Sequence, residues 1–489
     1  MRRLMVVIIL SSLVSCAVGP DYVRPPANVP EKFKEARDKT VMDSVKNLHW
    51  KVAEPKDVDL KSEWWRIFHD EKLNELEGKL NFSNETIKQA AANYRQARAL
   101  VDEARAAFFP TLNGDLTAIR QKGTGSSSFG TSTSTSTNIG TPAFTTYSWM
   151  LNANWEPDIW GLVRRTVEAS QSGAQASAAL LGATALSAQG SLAQYYFELR
   201  TLDSDQDFLD KTVNDYKKAL KFILNQYHSG IASRADILQA QSLLESTQAL
   251  AINNGVNRAL YEHAIAVLIG EPPANFSLSP QPLKHTPPPI PLIVPSELLE
   301  RRPDIAQAER LMQQACAQIG VAIAAYFPTL SLTGNVNGFQ RGGSLGELFT
   351  HPTIGWAYGA QLAQLIFDGG LRAATVAAAR AGYDSNVASY RQVVLSAFQN
   401  VEDNLSSLRI LAEQAVKQDQ AAETARRALI LVINQYKSGT VAYNSVLTAE
   451  INAFAAEKAA IDVTGLRMTY AVGLVKALGG SWDPAETKR

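Results

Sequence analysis

The chain has 489 residues, 46% of them apolar, and its 47 Lys plus Arg are balanced by 47 Asp plus Glu. Zero net charge leaves no global field to draw nucleic acid or an acidic surface, so a nucleic-acid partner is not expected. No apolar run reaches the roughly 20 residues that a membrane helix needs, so any crossing of a bilayer has to be made by a barrel.

The amino terminus runs Arg2-Arg3, then an apolar stretch from Leu4 to Leu10, then Leu13-Val14-Ser15-Cys16. A positive start, an apolar stretch and small residues before a cut make an export signal. With a cysteine at the cut, the pattern resembles a bacterial lipoprotein box. Residues 1–15 then form a signal peptide. Cys16 is the lipidation site, with a diacylglycerol on its sulfur and an acyl chain on its freed amino group; no other cofactor is expected. Two or more acyl chains anchor durably, where one alone is marginal. The alternative is an ordinary signal peptide with a chance cysteine. Residues 16–75 read as a lipidated, extended segment. The only other cysteine, Cys316, lies in a helical pattern between Ala315 and Ala317, which excludes a disulfide framework and marks it as a small buried residue.

The rest of the chain is two divergent copies of one unit. Ala106-Ala107-Phe108-Phe109-Pro110-Thr111-Leu112 recurs as Ala324-Ala325-Tyr326-Phe327-Pro328-Thr329-Leu330. Asn225-Gln226-Tyr227-His228-Ser229-Gly230 recurs as Asn434-Gln435-Tyr436-Lys437-Ser438-Gly439. The first repeat covers residues 76–270 and the second 304–480. Each begins with a helix, 84–108 or 304–326, ended by Pro110 or Pro328. Two strands follow. A very long helix, 162–227 or 371–436, would reach roughly 100 Å at 1.5 Å per residue. Hairpin turns at Gly230 and Gly439 then send a second long helix back, 233–269 or 443–478. Leu209, Val213, Tyr216, Leu220, Ile223 and Tyr227 alternate by fours and threes, a coiled-coil seam. The same register recurs at Ala422, Ala425, Leu429, Val432 and Tyr436. Upstream the seam is alanine-rich, at Ala174, Ala178, Ala185 and Ala188 with Leu181.

The strands alternate. Trp149, Leu151, Ala153 and Trp155 share one face, and Ser148, Met150, Asn152 and Asn154 the other. Leu330, Leu332 and Val336 alternate with polar residues, and so do Ile354, Trp356, Tyr358, Ala360 and Leu362 with Gly355, Ala357, Gly359 and Gln361. Apolar outside and polar inside, with terminal aromatics, is the pattern of outer-membrane strands, although a soluble sheet with one wet face alternates too. On the membrane reading, Trp149, Trp155, Leu332, Trp356 and Tyr358 face lipid. Four strands cannot close a barrel, and an open edge is forbidden in lipid. Three chains give twelve strands, so a homotrimer is expected. The fold class is mainly α with a membrane β-barrel: a trimeric twelve-stranded barrel continued by a long helical coiled-coil barrel.

Residues 271–303 hold ten of the 21 prolines and read as an extended linker. The Gly/Ser/Thr-rich run 123–146 reads as a flexible exterior loop, and 481–489 as a tail. No catalytic constellation is present. The six histidines show no metal-ligand spacing, and no Gly-rich loop leads into Lys-Ser/Thr. Glu402-Asp403 reads as a solvated or lumen-facing patch. With no energy source, any transport is passive on this chain's side, and no enzyme is expected.

Several motifs together resemble the TolC-like outer-membrane factors, in the lipoprotein branch. They are Val18-Gly19-Pro20-Asp21-Tyr22 with Arg24-Pro25, Trp64-Trp65 with Phe68 and Asp70, Phe109-Pro110-Thr111-Leu112, Asp158-Ile159-Trp160-Gly161, and Leu299-Glu300-Arg301-Arg302-Pro303-Asp304-Ile305. The resemblance implies a trimer whose β-barrel crosses the outer membrane and whose helices extend into the periplasm. It implies two partners, a periplasmic adaptor (membrane fusion) protein and an inner-membrane RND-type pump. Ala17 rather than aspartate after the cysteine implies delivery to outer-membrane lipid. The family's gate lies at the periplasmic tip, with acidic residues after the second-copy turn. Here those positions are Ser445 and Thr448, and the family's arginine position is Val441, so an acidic ring is not expected. In the first copy Asp236 matches a family acid and Arg234 precedes it. Arg234 and Asp236 are expected to make polar contacts between hairpins, and Asn444, Ser445 and Thr448 to lie near the constriction. Alternatively, Asp236 caps its own helix.

The function that follows is a passive exit duct for drugs and other toxic small molecules, a source of antibiotic resistance. A duct for secreted protein and a structural coiled-coil lipoprotein are the competing readings.

Overall fold

The computed structural model describes residues 17–26, 29–30, 32–35, 63–122, 143–284, 286–290, 298–299, 301–341, 345–349 and 354–480. Cys16, most of the Gly/Ser/Thr-rich run and the tail lie outside the described residues. The elements are α1 (Glu71–Ser83), α2 (Glu85–Ala106), β1 (Thr111–Gln121), β2 (Phe144–Trp155), α3 (Leu162–His228), α4 (Arg234–Leu268), α5 (Pro303–Ala324), β3 (Thr329–Arg341), β4 (Ile354–Ala363), α6 (Leu371–Lys437) and α7 (Tyr443–Ala477). The copies match in detail: α3 and α6 each have 67 residues, and α4 and α7 each have 35.

The chain divides into two compact units. One holds the described residues of 1–24, 96–174 and 311–386 and contains the sheet; the other holds those of 25–95, 175–310 and 387–489 and is helical. The sheet has four antiparallel strands in the order β1-β2-β3-β4.

The helical unit is cored by Trp64, Trp65, Phe68, Leu73, Leu76 and Leu80 against Leu192, Tyr196, Phe197, Ile265, Met468 and Val472. This overturns the extended reading of residues 16–75 at its C-terminal end. Trp64–Phe68 is a 3-10 turn, and α1 follows it. Asp70 caps α1, accepting from the Lys72 and Leu73 amides at 2.9 and 3.0 Å, and Leu73, Leu76 and Leu80 share the buried face. Asn84 then caps α2, accepting from the Ile87 amide at 2.9 Å. The helix expected from residue 84 is therefore the second of two.

The described part of the Pro-rich linker, irregular apart from a 3-10 turn at Pro273–Asn275 and helical residues 298, 299 and 301, is not free. Leu278 is buried, and the chain around it is tied to α3 and α4 by one ionic cluster. Asp203 accepts from Arg200 at 2.8 Å, from Arg258 at 2.7 Å and from the Gln281 amide at 2.8 Å. Arg200 also donates to the Ser279 carbonyl at 2.9 Å, and Arg258 to that of Leu278 at 2.6 Å. Arg302, from the motif after the linker, pairs with Asp304 and donates to the Ala477 carbonyl at 3.0 Å, closing the C-terminal end of α7.

The alternating fours and threes in α3 bury Leu209, Tyr216 and Ile223 and half-bury Val213 and Leu220, while Tyr227 is exposed at the helix end. Upstream the packing shifts. Ala176 and Ala179 are buried where Ala178 and Ala185 are only half-buried, because this stretch packs on more than one side.

Candidate functional site

Directly paired residues in an antiparallel sheet point to the same side, so the register sorts the whole sheet into two faces. One row runs Gly114, Leu151, Val336 and Trp356 across the four strands, and the next runs Leu112, Ala153, Gly334 and Tyr358. Trp155, Leu332 and Ala360 follow on the same side. Trp149, Trp155, Leu332, Trp356 and Tyr358 thus share one face. Trp356 and Tyr358 stand outward and stacked, centroids 5.7 Å apart and planes 3° apart, at 70% and 81% exposure. The other face carries the row Asn113, Asn152, Asn335 and Ala357, with Thr111, Asn154 and Thr333 beside it. Met150, Ile119 and Phe339 are apolar exceptions there. Trp149 is not free: its ring stacks on Phe349 of the short turn Leu345–Phe349 at 6.0 Å and donates to the Leu348 carbonyl at 3.3 Å.

Beside the sheet, the residues just after Cys16 are seated in a slot. The Val18 amide donates to the Trp160 carbonyl at 3.0 Å. Buried Arg165, in the first turn of α3, donates to the Val18 carbonyl at 3.1 Å and to Asp21 at 2.8 Å. Gly19 passes Gly320 of α5 so closely that a Cβ on Gly19 would stand 2.5 Å from the Gly320 Cα. Nothing in the sequence marked Arg165, whose partners Val18 and Asp21 lie about 145 positions away.

Two hairpin turns close the helix pairs in the helical unit. Gly230 and Gly439 hold φ of +75° and +77°, which a side chain strains. At each turn the amide three residues past the helix, Ile231 or Thr440, donates back to the Gln226 or Gln435 carbonyl at 2.9 or 3.0 Å. That is a Schellman-type stop. The returning helices start differently. Ser233 and Asp236 form a reciprocal capping box on α4, with the Ser233 amide donating to Asp236 at 2.8 Å and the Asp236 amide to Ser233 at 3.2 Å. The same position in copy two is Ala442, with no side-chain cap. Asp236 therefore caps its own helix. Arg234 makes no ion pair among the described residues. Ser233→Ala should lower the stability of the first turn of α4 by about 1 kcal/mol. Faster amide exchange at residues 234–238 would register it.

Asn444, Ser445 and Thr448 cluster on the first turns of α7. Ser445 and Thr448 line an open groove of about 640 Å³ with Thr424, Ala425 and Ala428 of α6, and Thr448 back-bonds to the Asn444 carbonyl at 2.9 Å. The two hairpins also meet within the chain. Ile223, Ala240, Tyr443 and Val446 form a small core, and Tyr436 donates to Gln226 at 2.7 Å. Glu450 lies buried against it. Burial raises its carboxyl to about 7, and its Oε2 has no hydrogen-bond partner. Glu402 is no solvated patch. It accepts from the Lys34 and Glu35 amides at 2.7 and 3.0 Å, while Arg409 pairs with Glu35 at 2.8 Å, so an N-terminal strap is fixed along α6.

A sheet with one apolar and one polar face, borne with two copies of a 67-plus-35-residue helical hairpin, is the architecture that the family model described as "outer membrane efflux protein" matches over residues 79–271 and 294–480. The chain belongs to the outer membrane efflux protein family. The cation efflux system protein CusC of Escherichia coli O6:H1 is 26% identical over 479 residues, covering 96% of this chain and 97% of CusC. The pyoverdine export outer membrane protein OpmQ of Pseudomonas aeruginosa is 30% identical over 425 residues, covering 86% and 88%. The solved structure of the outer-membrane channel OprN superposes with a TM-score of 0.83 at 27% identity, covering 96% of this chain and all of that one. This efflux protein is accordingly an outer-membrane channel that extends into the periplasm, the passive exit duct of a tripartite pump and not an enzyme.

Proposed function

We propose that three copies of this efflux protein close one twelve-stranded barrel in the outer membrane, Cys16 adding a lipid anchor, and pass small toxic molecules outward. The observation that carries this is the sheet itself. Its end strands β1 and β4 have no partner strand among the described residues, yet one face is apolar up to the end that carries Arg120, Thr145 and Gln340. Edges of that kind cannot stand in lipid, and three such sheets joined edge to edge leave none. Trp149, Trp155, Leu332, Trp356 and Tyr358 then face lipid, and the asparagine rows face the lumen. The hairpin turns at Gly230 and Gly439 from three chains form the periplasmic gate. Asn444, Ser445 and Thr448 stand near its constriction, with no acidic ring. A periplasmic adaptor and an inner-membrane RND-type pump supply the energy and choose the cargo. The efflux of cations and of pyoverdine in the names of two relatives supports a small cargo rather than a secreted protein.

The test is the mass of the detergent-extracted complex. Three mature chains, each beginning at an acylated Cys16, are expected. A stable, conducting monomer contradicts the trimer, and an unmodified Cys16 contradicts the anchor.

A further inference from the structure

The contact between the two hairpins of one chain contains a group that a purely mechanical seam does not need. Glu450, on the third turn of α7, is 6% exposed, and its Oε2 is buried without a hydrogen-bond partner. It lines a cavity of about 250 Å³ with Ala219, Phe222 and Ile223 of α3, Ile433 of α6, and Tyr443 and Val446 of α7. A buried carboxylate that no cation pairs with is costly, so the group is held as the neutral acid although Lys218 and Lys437 line the same cavity. No ion pair reaches Glu450 among the described residues. The charged and titratable groups around it are Tyr216 and Lys218 on α3, Tyr436 and Lys437 on α6, Tyr443 and Glu457 on α7, and Asp236 on α4. Lys218 is held by Asp215 at 2.9 Å, and Tyr436 by Gln226. The repeat supplies an internal comparison. Copy one carries Gln241 at the matching position, exposed and bonded to Glu245 at 2.8 Å. Copy two alone places an acid there, in the hairpin whose returning helix also lacks a side-chain cap.

We propose that Glu450 is a proton-operated latch: as the neutral acid it seals α7 onto α3, and on losing its proton it unseats the second-copy hairpin from the first. The latch rests on the channel reading for its purpose, since the unseated hairpin widens the gate, but its chemistry stands on the buried contact alone. The sign follows from linkage. A carboxyl raised from 4.5 to about 7 in the seated state favours seating at low pH. That preference is lost as pH rises between those two values, because the unseated state, with its carboxyl in water, releases the proton more readily.

The test is amide hydrogen exchange in the full-length, detergent-solubilised protein between pH 5 and 8, corrected for the intrinsic pH dependence of exchange. Protection across residues 443–452 should fall about tenfold or more over that range. Glu450→Gln should keep high protection throughout, and Gln241→Glu should add no pH dependence to residues 234–243. Wild-type protection that is flat with pH, or a Glu450→Gln profile that tracks the wild type, overturns the latch. Should Glu450→Gln not assemble, the wild-type profile decides alone. Failure to conduct in a bilayer would sink the channel reading and leave the exchange result standing, so the two failures are distinguishable.

Discussion

Asp203→Ala is expected to destabilise the helical unit by about 3–5 kcal/mol, the range for removing one partner of a buried ion pair. Asp203 is 1% exposed and faces two arginines, Arg200 at 5% and Arg258 at 18% exposure. With the carboxylate gone, Arg200 keeps the Ser279 carbonyl and Tyr196, over whose ring it stacks, but no countercharge from Asp203, and its Nε already has no partner. Glu262 still balances Arg258, so the excess charge falls on Arg200. The loss reaches beyond α3, because Asp203 also holds the Gln281 amide and so the linker. Two readouts should move together: a lower unfolding midpoint by circular dichroism, and new protease cleavage within 276–283. Asp203→Asn, which keeps the shape and one acceptor, should fall between. A midpoint equal to the wild type would mean that the linker is held by Leu278 packing alone.

Trp356→Arg is expected to cost about 2–4 kcal/mol per chain, the depth-dependent penalty for a lipid-facing charge near the bilayer midplane. Trp356 pairs with Val336, next to the middle of the 13-residue β3, and is 70% exposed on the apolar face. Leu332→Arg lies nearer the start of β3, so its penalty should be smaller. Asn335→Arg, on the opposite face, should leave assembly intact. The yield of assembled protein in outer-membrane fractions reads all three. Equal tolerance of arginine on both faces would remove the lipid assignment.

Much of this was legible because two periods punctuated by proline and glycine carry it. Pro110 and Pro328 closed helices, Gly230 and Gly439 turned them, and strict alternation from Trp149 to Trp155 and from Ile354 to Leu362 gave the apolar face. What escaped depends on segments far apart in the chain. Arg165 meets Asp21, Glu402 meets the strap at Lys34 and Glu35, and Asp203 meets Gln281. No local period records such pairs. The cap at Asp236 was one of two readings the sequence offered, and Ser233 three residues before it completes the box. In the alanine-rich stretch the expected seam does not stand alone: Ala174 is buried and Ala178, Leu181, Ala185 and Ala188 are half-buried, but Ala176 and Ala179 are buried beside them, since small residues permit close approach on several sides.

This efflux protein is itself a conduit. Planar-bilayer recording of the purified, full-length complex tests it most directly. Discrete, passive, ohmic conductance steps that need no nucleotide or added partner are expected. Protein that inserts as a folded complex but gives no conductance at any applied voltage would contradict it.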